Sequence, residues 1–524
     1  MIDPEQALEH GPDLDPAPSA TIAALDIGSN SFHMIVARYT NNRLMVLDRL
    51  KDMVRLAAGL DRHNDLRPAV MERALESLAR MGQRVRELPE ANVRVVGTNT
   101  LRKARNGAEF VERASDVLGR EVEIISGREE ARLIYLGVSH SLEDNMECRL
   151  VVDIGGGSTE LILGRQFQPE TMDSLYMGCV SMSAEFFPSG RITAAAMKAA
   201  ELAARQELEP IVARYRNRGW DSAIGASGTI LTIQDVVAAQ GWSTESITAE
   251  ALKRLQAQLV EVGQINRLSL PGLPNQRAPV FPGGVAILAA IFKELDIQQM
   301  QTSSGALREG LLWDLLGRQQ QFDIREQTVA DLMARYHVDQ EQALPVRTTA
   351  LRLLEAVAEA WQLNDPELAQ LLRWAAQLHE IGMDIAYAQY HKHGSYLLQN
   401  LEMPGFSRTE QHKLALLVRA HRRKLPRAEL AATPIDKPED LIRLTLLLRC
   451  AAVMHRARNQ AQAPPLARIE ARTIGVHLTF AGSWLQQHPL TRLDLAEEAR
   501  AWADLGVGLT FADAAQDQDG DAVI

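Results

Sequence analysis

Apolar positions along this chain change their period near residue 320. Before it, short apolar runs alternate with stretches at helical spacing; after it, helical spacing dominates. The first runs predict strands at Ile22–Leu25, Phe32–Tyr39 and Arg43–Leu50, a helix over Pro68–Leu88, and strands at Val93–Val96 and Val122–Ile125. The same order then returns. Strands are predicted at Leu150–Val152, Glu160–Leu163 and Thr171–Met177, followed by a helix over Ala194–Arg214 and a strand and turn over Ser222–Gly228. A helix over Val285–Glu294 and a strand at Gln299–Thr302 complete the repeat. Alternating elements with mixed strand directions predict an α/β fold for both stretches. Beyond them, helices are predicted at Gln327–Tyr336, Asp339–Trp361, Pro366–Glu380, Thr409–Arg423 and Pro438–Ala457, with one strand signal at Arg468–Thr479. The expected organisation is a disordered lead (1–20), a first α/β half (21–135), a second half (136–318), a mainly helical domain (319–512) and an acidic tail (513–524).

Each half carries the same phrase between its first two strands: Asp26-Ile27-Gly28-Ser29-Asn30-Ser31 and Asp153-Ile154-Gly155-Gly156-Gly157-Ser158-Thr159. A glycine turn joining two strands points several backbone N–H groups at one spot, which suits phosphate oxygens. The leading Asp suits a hydrated Mg²⁺. A Walker or Rossmann loop would run from strand into helix instead. Duplication makes a two-sided phosphate cleft the reading to test.

Between the two copies, Ser126 followed by Glu129 reads as a capping box opening a helix. Glu130 is left on the adjacent face, where a general base for water is needed. Arg102, in Thr98-Asn99-Thr100-Leu101-Arg102, suits a guanidinium gripping phosphate; Lys51 and Arg55 could do likewise, though solvated surface is the reading preferred for both. In Gly225-Ala226-Ser227-Gly228-Thr229, small residues between a strand and a helix allow close approach of a ligand to Ser227 and Gly228. The helical domain contains His379, Glu380, His391, His393 and His421. Glu380 stands where a His-Asp metal pair would need Asp, so these histidines are expected to pack or to bind anions.

Composition narrows the class. The chain has 524 residues, 46% hydrophobic and 23% charged, with three cysteines and no CxxC pair. That pattern predicts a soluble protein of a reducing cytoplasm. The longest apolar stretch, Val280–Phe292, falls short of the roughly 20 residues of a membrane span. A net charge of −11 argues against general nucleic-acid binding. Against it, residues 411–460 carry eleven Lys/Arg and four Asp/Glu, a local +7. Arg419, Arg422, Arg423 and Lys424 are therefore expected to form a track for a polyanion.

With DIGSNSF, TLRKA, ISGREEARLI, VVDIGGGSTEL, GASGT and SGALREG in this order, the chain resembles the exopolyphosphatase / guanosine pentaphosphatase family over nearly everything after residue 20. The resemblance implies two RNase H-like halves of the actin/Hsp70/sugar-kinase superfold around a cleft, a helical HD-like domain, and a homodimer. It implies that Glu130 is the general base, that Asp153 and Glu160 are Mg²⁺-associated carboxylates, and that Gly28, Ser29, Asn30, Ser31, Arg102, Gly155, Gly156, Gly157, Ser158 and Thr159 contact phosphate. A pentaphosphatase is expected to read GGAST in the second turn, where this chain has Gly155-Gly156-Gly157. The YHKHGSYLLQN and HRRK stretches of the helical domain also look more like exopolyphosphatase. Inorganic polyphosphate is therefore expected as the main substrate and guanosine pentaphosphate (pppGpp) as the alternative, with no nucleic-acid partner and at most peripheral membrane association. An actin-like kinase or ATPase, or a non-catalytic polyphosphate sensor, are readings from other classes.

Overall fold

The structure is a computed structural model, and it describes residues 20–40, 43–142, 146–319, 323–432, 437–458, 464–473 and 475–514. Almost all of the expected lead and acidic tail lie outside these residues. The chain forms two compact units, Met1–Asp323 and Ile324–Ile524.

In the first unit, strands β1 (Ala20–Ile27), β2 (Phe32–Thr40), β3 (Arg43–Asp52), β4 (Val93–Gly97) and β5 (Val122–Ile124) form a sheet of order β3-β2-β1-β4-β5. A second sheet holds β6 (Cys148–Ile154), β7 (Thr159–Arg165), β8 (Gln168–Leu175), β9 (Ser222–Ala226), β10 (Ile247–Thr248) and β11 (Gln299–Thr302), in the order β10-β11-β9-β6-β7-β8. Read from β8 to β11, it repeats the first sheet. β1 and β6 each pair antiparallel with the next strand and parallel with β4 or β9. Even a register shift recurs, at Val36/Ala37 and at Leu163/Gly164.

The near-continuous apolar runs follow from burial on both strand faces. Along β1, Ala23, Leu25 and Ile27 enter the outer core of the first half, while Ile22 and Ala24 face a core shared by the two sheets. Along β6, Leu150, Val152 and Ile154 face the second half's core and Val151 the shared one. The helices Gly127–Ser139 and Leu307–Gln319 fill that shared core with Leu133, Ile134, Leu311 and Leu315. They cross at Gly137 and Gly310. A Cβ on Gly310 would lie 1.8 Å from the Leu133 carbonyl oxygen, and one on Gly137 would lie 2.1 Å from that of Ala306. Only hydrogen fits at such a crossing.

Beside this crossing lies a buried ion cluster. Arg132 donates from Nε and Nη2 to the two Glu129 oxygens at 2.8 Å each and also engages Asp314. Arg94 joins Asp314 to Glu123, and Arg318 Nε reaches Asp314 at 3.1 Å. Burial alone would raise the Asp314 carboxyl, but Arg132, Arg94 and Arg318 hold it far below its ordinary value. The expected capping box is thereby modified. Ser126 Oγ accepts from the Glu129 N–H at 3.1 Å, but both oxygens of the Glu129 carboxylate serve the cluster. The helix Phe281–Leu295 is apolar all round because it is the core helix of the second half; the stretch Ala278–Leu295, long and apolar enough to cross a membrane, is mostly buried.

The second unit is mainly helical, from Ile324–Arg335 through Pro438–Met454. The single strand expected at Arg468–Thr479 is two antiparallel strands, β12 (Leu466–Arg472) and β13 (Gly475–Phe480). β13 pairs in parallel with β14 (Gly508–Asp513), after the helix Pro489–Ala503. Two of its buried histidines are tied to the backbone: His379 and His421 each direct Nδ1 to a backbone carbonyl at 2.7 Å. Arg458 engages both oxygens of Glu380, at 2.7 and 2.8 Å.

Candidate active site

Both duplicated turns open on one cleft of about 380 Å³ in the first unit. The parity that faces the shared core changes from apolar to acidic at the strand ends: Ile22 and Ala24 lead to Asp26, and Val151 leads to Asp153. Across each hairpin stands an equivalent partner, His33 opposite Asp26 and Glu160 opposite Asp153. Gly28 is required by space, since a Cβ there would lie 2.8 Å from the Ser31 carbonyl oxygen. In the second turn the Gly155 N–H donates to the Ser158 carbonyl at 2.9 Å. Those of Cys179 and Val180, opening the helix Cys179–Phe186, donate to the carbonyls of Gly155 and Gly156 at 2.9 Å each. Fixing the turn's carbonyls backwards leaves the N–H groups of Gly156 and Ser158 without a protein acceptor among the described residues. Those of Ser29, Asn30 and Ser31 are in the same state. Such groups form a cradle for anionic oxygens.

Glu130 reaches the cleft from the first turn of the helix Gly127–Ser139. Its Oε2 accepts from Arg102 Nη1 at 2.9 Å, and the same Nη1 donates to the Ile125 carbonyl at 2.9 Å. Arg102 does not line the cleft. Expected on phosphate, it holds Glu130 and the strand end behind it through this one nitrogen, Nη1.

Three more expectations change on folding. Thr159 is fully buried with Oγ1 donating to the Met177 carbonyl at 2.7 Å, so its side chain turns away from the cleft. Gly157 packs on Asn99, whose Oδ1 would lie 2.9 Å from a Cβ there. Glu160 is buried behind Asp153, its Oε1 accepting from Ser174 Oγ at 2.8 Å. Gly28, Ser29, Asn30, Ser31, Gly155, Gly156, Ser158, Ser227 and Gly228 do line the cleft. Ser227 adopts φ 79°, left-handed for a non-glycine residue, and its Oγ accepts from the N–H of Ile154 at 3.3 Å. Strain of this kind persists where the surroundings enforce it.

Of the cleft's cations, neither Arg277 nor Arg308 was singled out in the sequence, and solvated surface was favoured for Lys51. Arg277 lies against Gly228 so closely that a Cβ there would sit 1.8 Å from Nη2. Arg308 contacts His33 Nδ1, and Lys51 lines the same wall. Burial first, then Arg308, Lys51 and Arg277, hold His33 down to about 3, so it stays neutral and accepts. The SGALREG segment that carries Arg308 was a visible signal; Arg277 sits in a loop that offered none.

Facing these cations is a set of buried carboxylates. Burial, then repulsion from Glu130, raise Asp26 to about 8 and Asp153 to about 7. Glu160 is raised well above its ordinary value for the same two reasons. Asp26 Oδ1 is buried with no hydrogen-bond partner. Among the described residues no group of three or more His, Cys, Asp or Glu is arranged to hold a metal. A pair of carboxylates beside a phosphate cradle nevertheless fits Mg²⁺, which keeps waters and takes substrate oxygens for its remaining positions. Asp26 and Asp153 are the carboxylates of this set that line the cleft beside the turns, with Glu160 buried behind Asp153.

Duplicated turns, buried carboxylates and opposed cations suit a phosphoryl group, and comparison with known proteins places the chain among phosphatases. Residues 35–319 match the Ppx/GppA phosphatase family and residues 324–499 its domain III. The chain belongs to the Ppx/GppA phosphatase family. It is 41% identical over 497 residues to a Vibrio cholerae protein named guanosine-5'-triphosphate,3'-diphosphate pyrophosphatase, covering 94% of this chain and 98% of that one. A Vibrio vulnificus protein of the same name is 39% identical over 491 residues, covering 93% and 97%. The crystal structure of an exopolyphosphatase from Cytophaga hutchinsonii shares the fold, with TM-score 0.51 at 23% identity over 56% of this chain and 97% of that one. As a Ppx/GppA phosphatase the chain is a hydrolase of phosphoanhydride bonds. The expected preference for polyphosphate rested on the YHKHGSYLLQN and HRRK stretches of the helical domain and on the second turn, above all Gly157. That residue's neighbour is Asn99, a packing contact, and the relatives carry the other substrate's name.

Proposed function

We propose that this Ppx/GppA phosphatase is a pppGpp 5'-phosphohydrolase that removes the terminal phosphate to leave ppGpp. The observation that carries the reading is near-full-length similarity, at 41% identity, to a protein named for that guanosine nucleotide. The terminal phosphoryl group would lie between the two turns, its oxygens on the free N–H groups and on Arg277, Arg308 and Lys51. Charge that develops on those oxygens is met by donors already in place. Glu130, held by Arg102, takes a proton from the attacking water. The water oxygen bonds to the terminal phosphorus, the bridging P–O bond breaks, and its electron pair leaves with the diphosphate oxygen of ppGpp. That leaving group is stable as an anion, so no strong general acid is needed. Asp26 and Asp153 would hold Mg²⁺, which when bound neutralises phosphate charge.

Polyphosphate hydrolysis is the second reading, supported by the family as a whole and by the related fold of an exopolyphosphatase. Phosphate release measured side by side from pppGpp and long-chain polyphosphate, with and without Mg²⁺, tests the choice. A higher kcat/KM for pppGpp is expected; a higher value for polyphosphate would restore the second reading.

A further inference from the structure

The unit Ile324–Ile524 contains a pocket of about 780 Å³ that the reaction above does not use. It is walled by the end of the helix Arg408–Ala420, the turn that follows, and the start of the helix Tyr390–Asn400. Lys392, Arg419, Arg422, Arg423 and Lys424 line it against one carboxylate, Glu429. Arg419 lies 3.9 Å from Glu429, while among the described residues Lys392, Arg423 and Lys424 form no ion pair. Like charges gathered in a concavity repel unless an anion enters it.

The turn is nevertheless built to hold them. Arg449, itself buried, donates to the carbonyls of Ala420 at 2.6 Å and Arg423 at 2.9 Å, and is anchored on Glu498 at 2.6 and 2.7 Å. Arg423 is kept at φ 62°, a region that disfavours side-chain-bearing residues. The Arg422 guanidinium lies 4.4 Å from the Tyr390 ring centroid. His391 lines the pocket, and its Nδ1 is buried with no hydrogen-bond partner. Burial and then Arg419 and Arg422 hold this imidazole down to about 4, so it remains neutral. An extended track would lay these cations along a surface, whereas the structure gathers them around a concavity open to solvent.

We propose that this pocket is a second anion site, which takes a compact ligand carrying three or more phosphate charges, either a free phosphate chain or one borne by a nucleoside. Tyr387 stands on the pocket wall, 75% exposed, where a base would stack. The two sources therefore differ in their dependence on Tyr387.

Hydrogen–deuterium exchange on the full-length Glu130→Gln chain, with inorganic tripolyphosphate or GTP as probe, tests the site. Slower exchange in peptides covering 387–430 is expected with tripolyphosphate, weakening as salt rises. The apparent affinity there should fall about tenfold when Lys392, Arg423 and Lys424 are all replaced by Gln. Weakened GTP binding in Tyr387→Ala, with tripolyphosphate unaffected, identifies a nucleotide; no change for either identifies a free phosphate chain. Peptides covering the two turns report the active-site cleft separately, so failure of the proposed function is distinguishable from failure of this site. Absence of protection at 387–430 in millimolar tripolyphosphate overturns the proposal. So does undiminished protection in the triple variant, or GMP binding as tightly as tripolyphosphate.

Discussion

Replacing Glu130 with Gln isolates the proton acceptor from everything else this residue does. Gln has the same length, and its amide oxygen can still accept from Arg102 Nη1, now at 2.9 Å from the carboxylate. Loss of a positioned general base slows turnover by roughly 10²–10⁴-fold, or about 3–5.5 kcal/mol of barrier at 1.36 kcal/mol per decade. Binding of pppGpp should survive, because the turn N–H groups, Arg277 and Arg308 are untouched. A second signature comes from the carboxylates. After burial, Glu130 is the largest cause raising both Asp26 and Asp153, so its neutralisation should lower both. The acid limb of residual activity should therefore move to lower pH. Thermal stability should change little, since lost charge on the Arg102 contact, about 1.5–3 kcal/mol for a charged hydrogen bond, is offset by relieved repulsion. Phosphate release and calorimetric binding of pppGpp measure both halves. Turnover within about threefold of wild type would remove Glu130 as the base, since general-base catalysis is worth far more than that. A collapse of binding together with a lower Tm would show that the residue is structural.

Three further outcomes follow from the same geometry. Asp26 and Asp153 keep their protons in the folded chain to about pH 8 and 7, while the unfolded chain releases them near 3.8. Their stabilisation is thus complete below pH 3.8 and lost as pH rises through 7 to 8, and Mg²⁺ should raise Tm more at pH 8 than at pH 6. Asp153→Asn should flatten that difference, and a wild-type Mg²⁺ effect independent of pH would refute the carboxylate site. Asp314→Asn leaves Arg94, Arg132 and Arg318 facing a neutral group and should lower unfolding free energy by about 3–5 kcal/mol in urea titration. A loss below about 1 kcal/mol would mean the cluster is solvated. Gly310→Ala should cost about 1–3 kcal/mol by forcing the two crossing helices apart. A Tm equal to wild type would show that the crossing can relax.

The sequence by itself determined everything that depends on short-range pattern. The strand–glycine–strand phrases at Asp26 and Asp153, the apolar runs buried on both faces, and the helical periodicity after residue 320 are local consequences of pleat, turn and helix geometry. Glu130 was legible for the same reason, as the carboxylate left over once Ser126 opens the helix. Tertiary structure alone decided where long side chains end. Arg102 and Glu160 sit within the right motifs, yet Arg102 closes on Glu130 and Glu160 on Ser174. Such side chains reach several ångströms from the backbone and take whichever buried partner completes their hydrogen bonds. Arg277 entered the cleft from a loop without periodicity, and Lys51, read as surface, lines its wall. The basic stretch changed most. Its charge was countable in the sequence, but only the turn fixed by Arg449, together with a neighbouring helix, converts that charge from a line into a concavity. Charge is additive along a chain, whereas the shape that concentrates it depends on contacts between residues far apart in sequence.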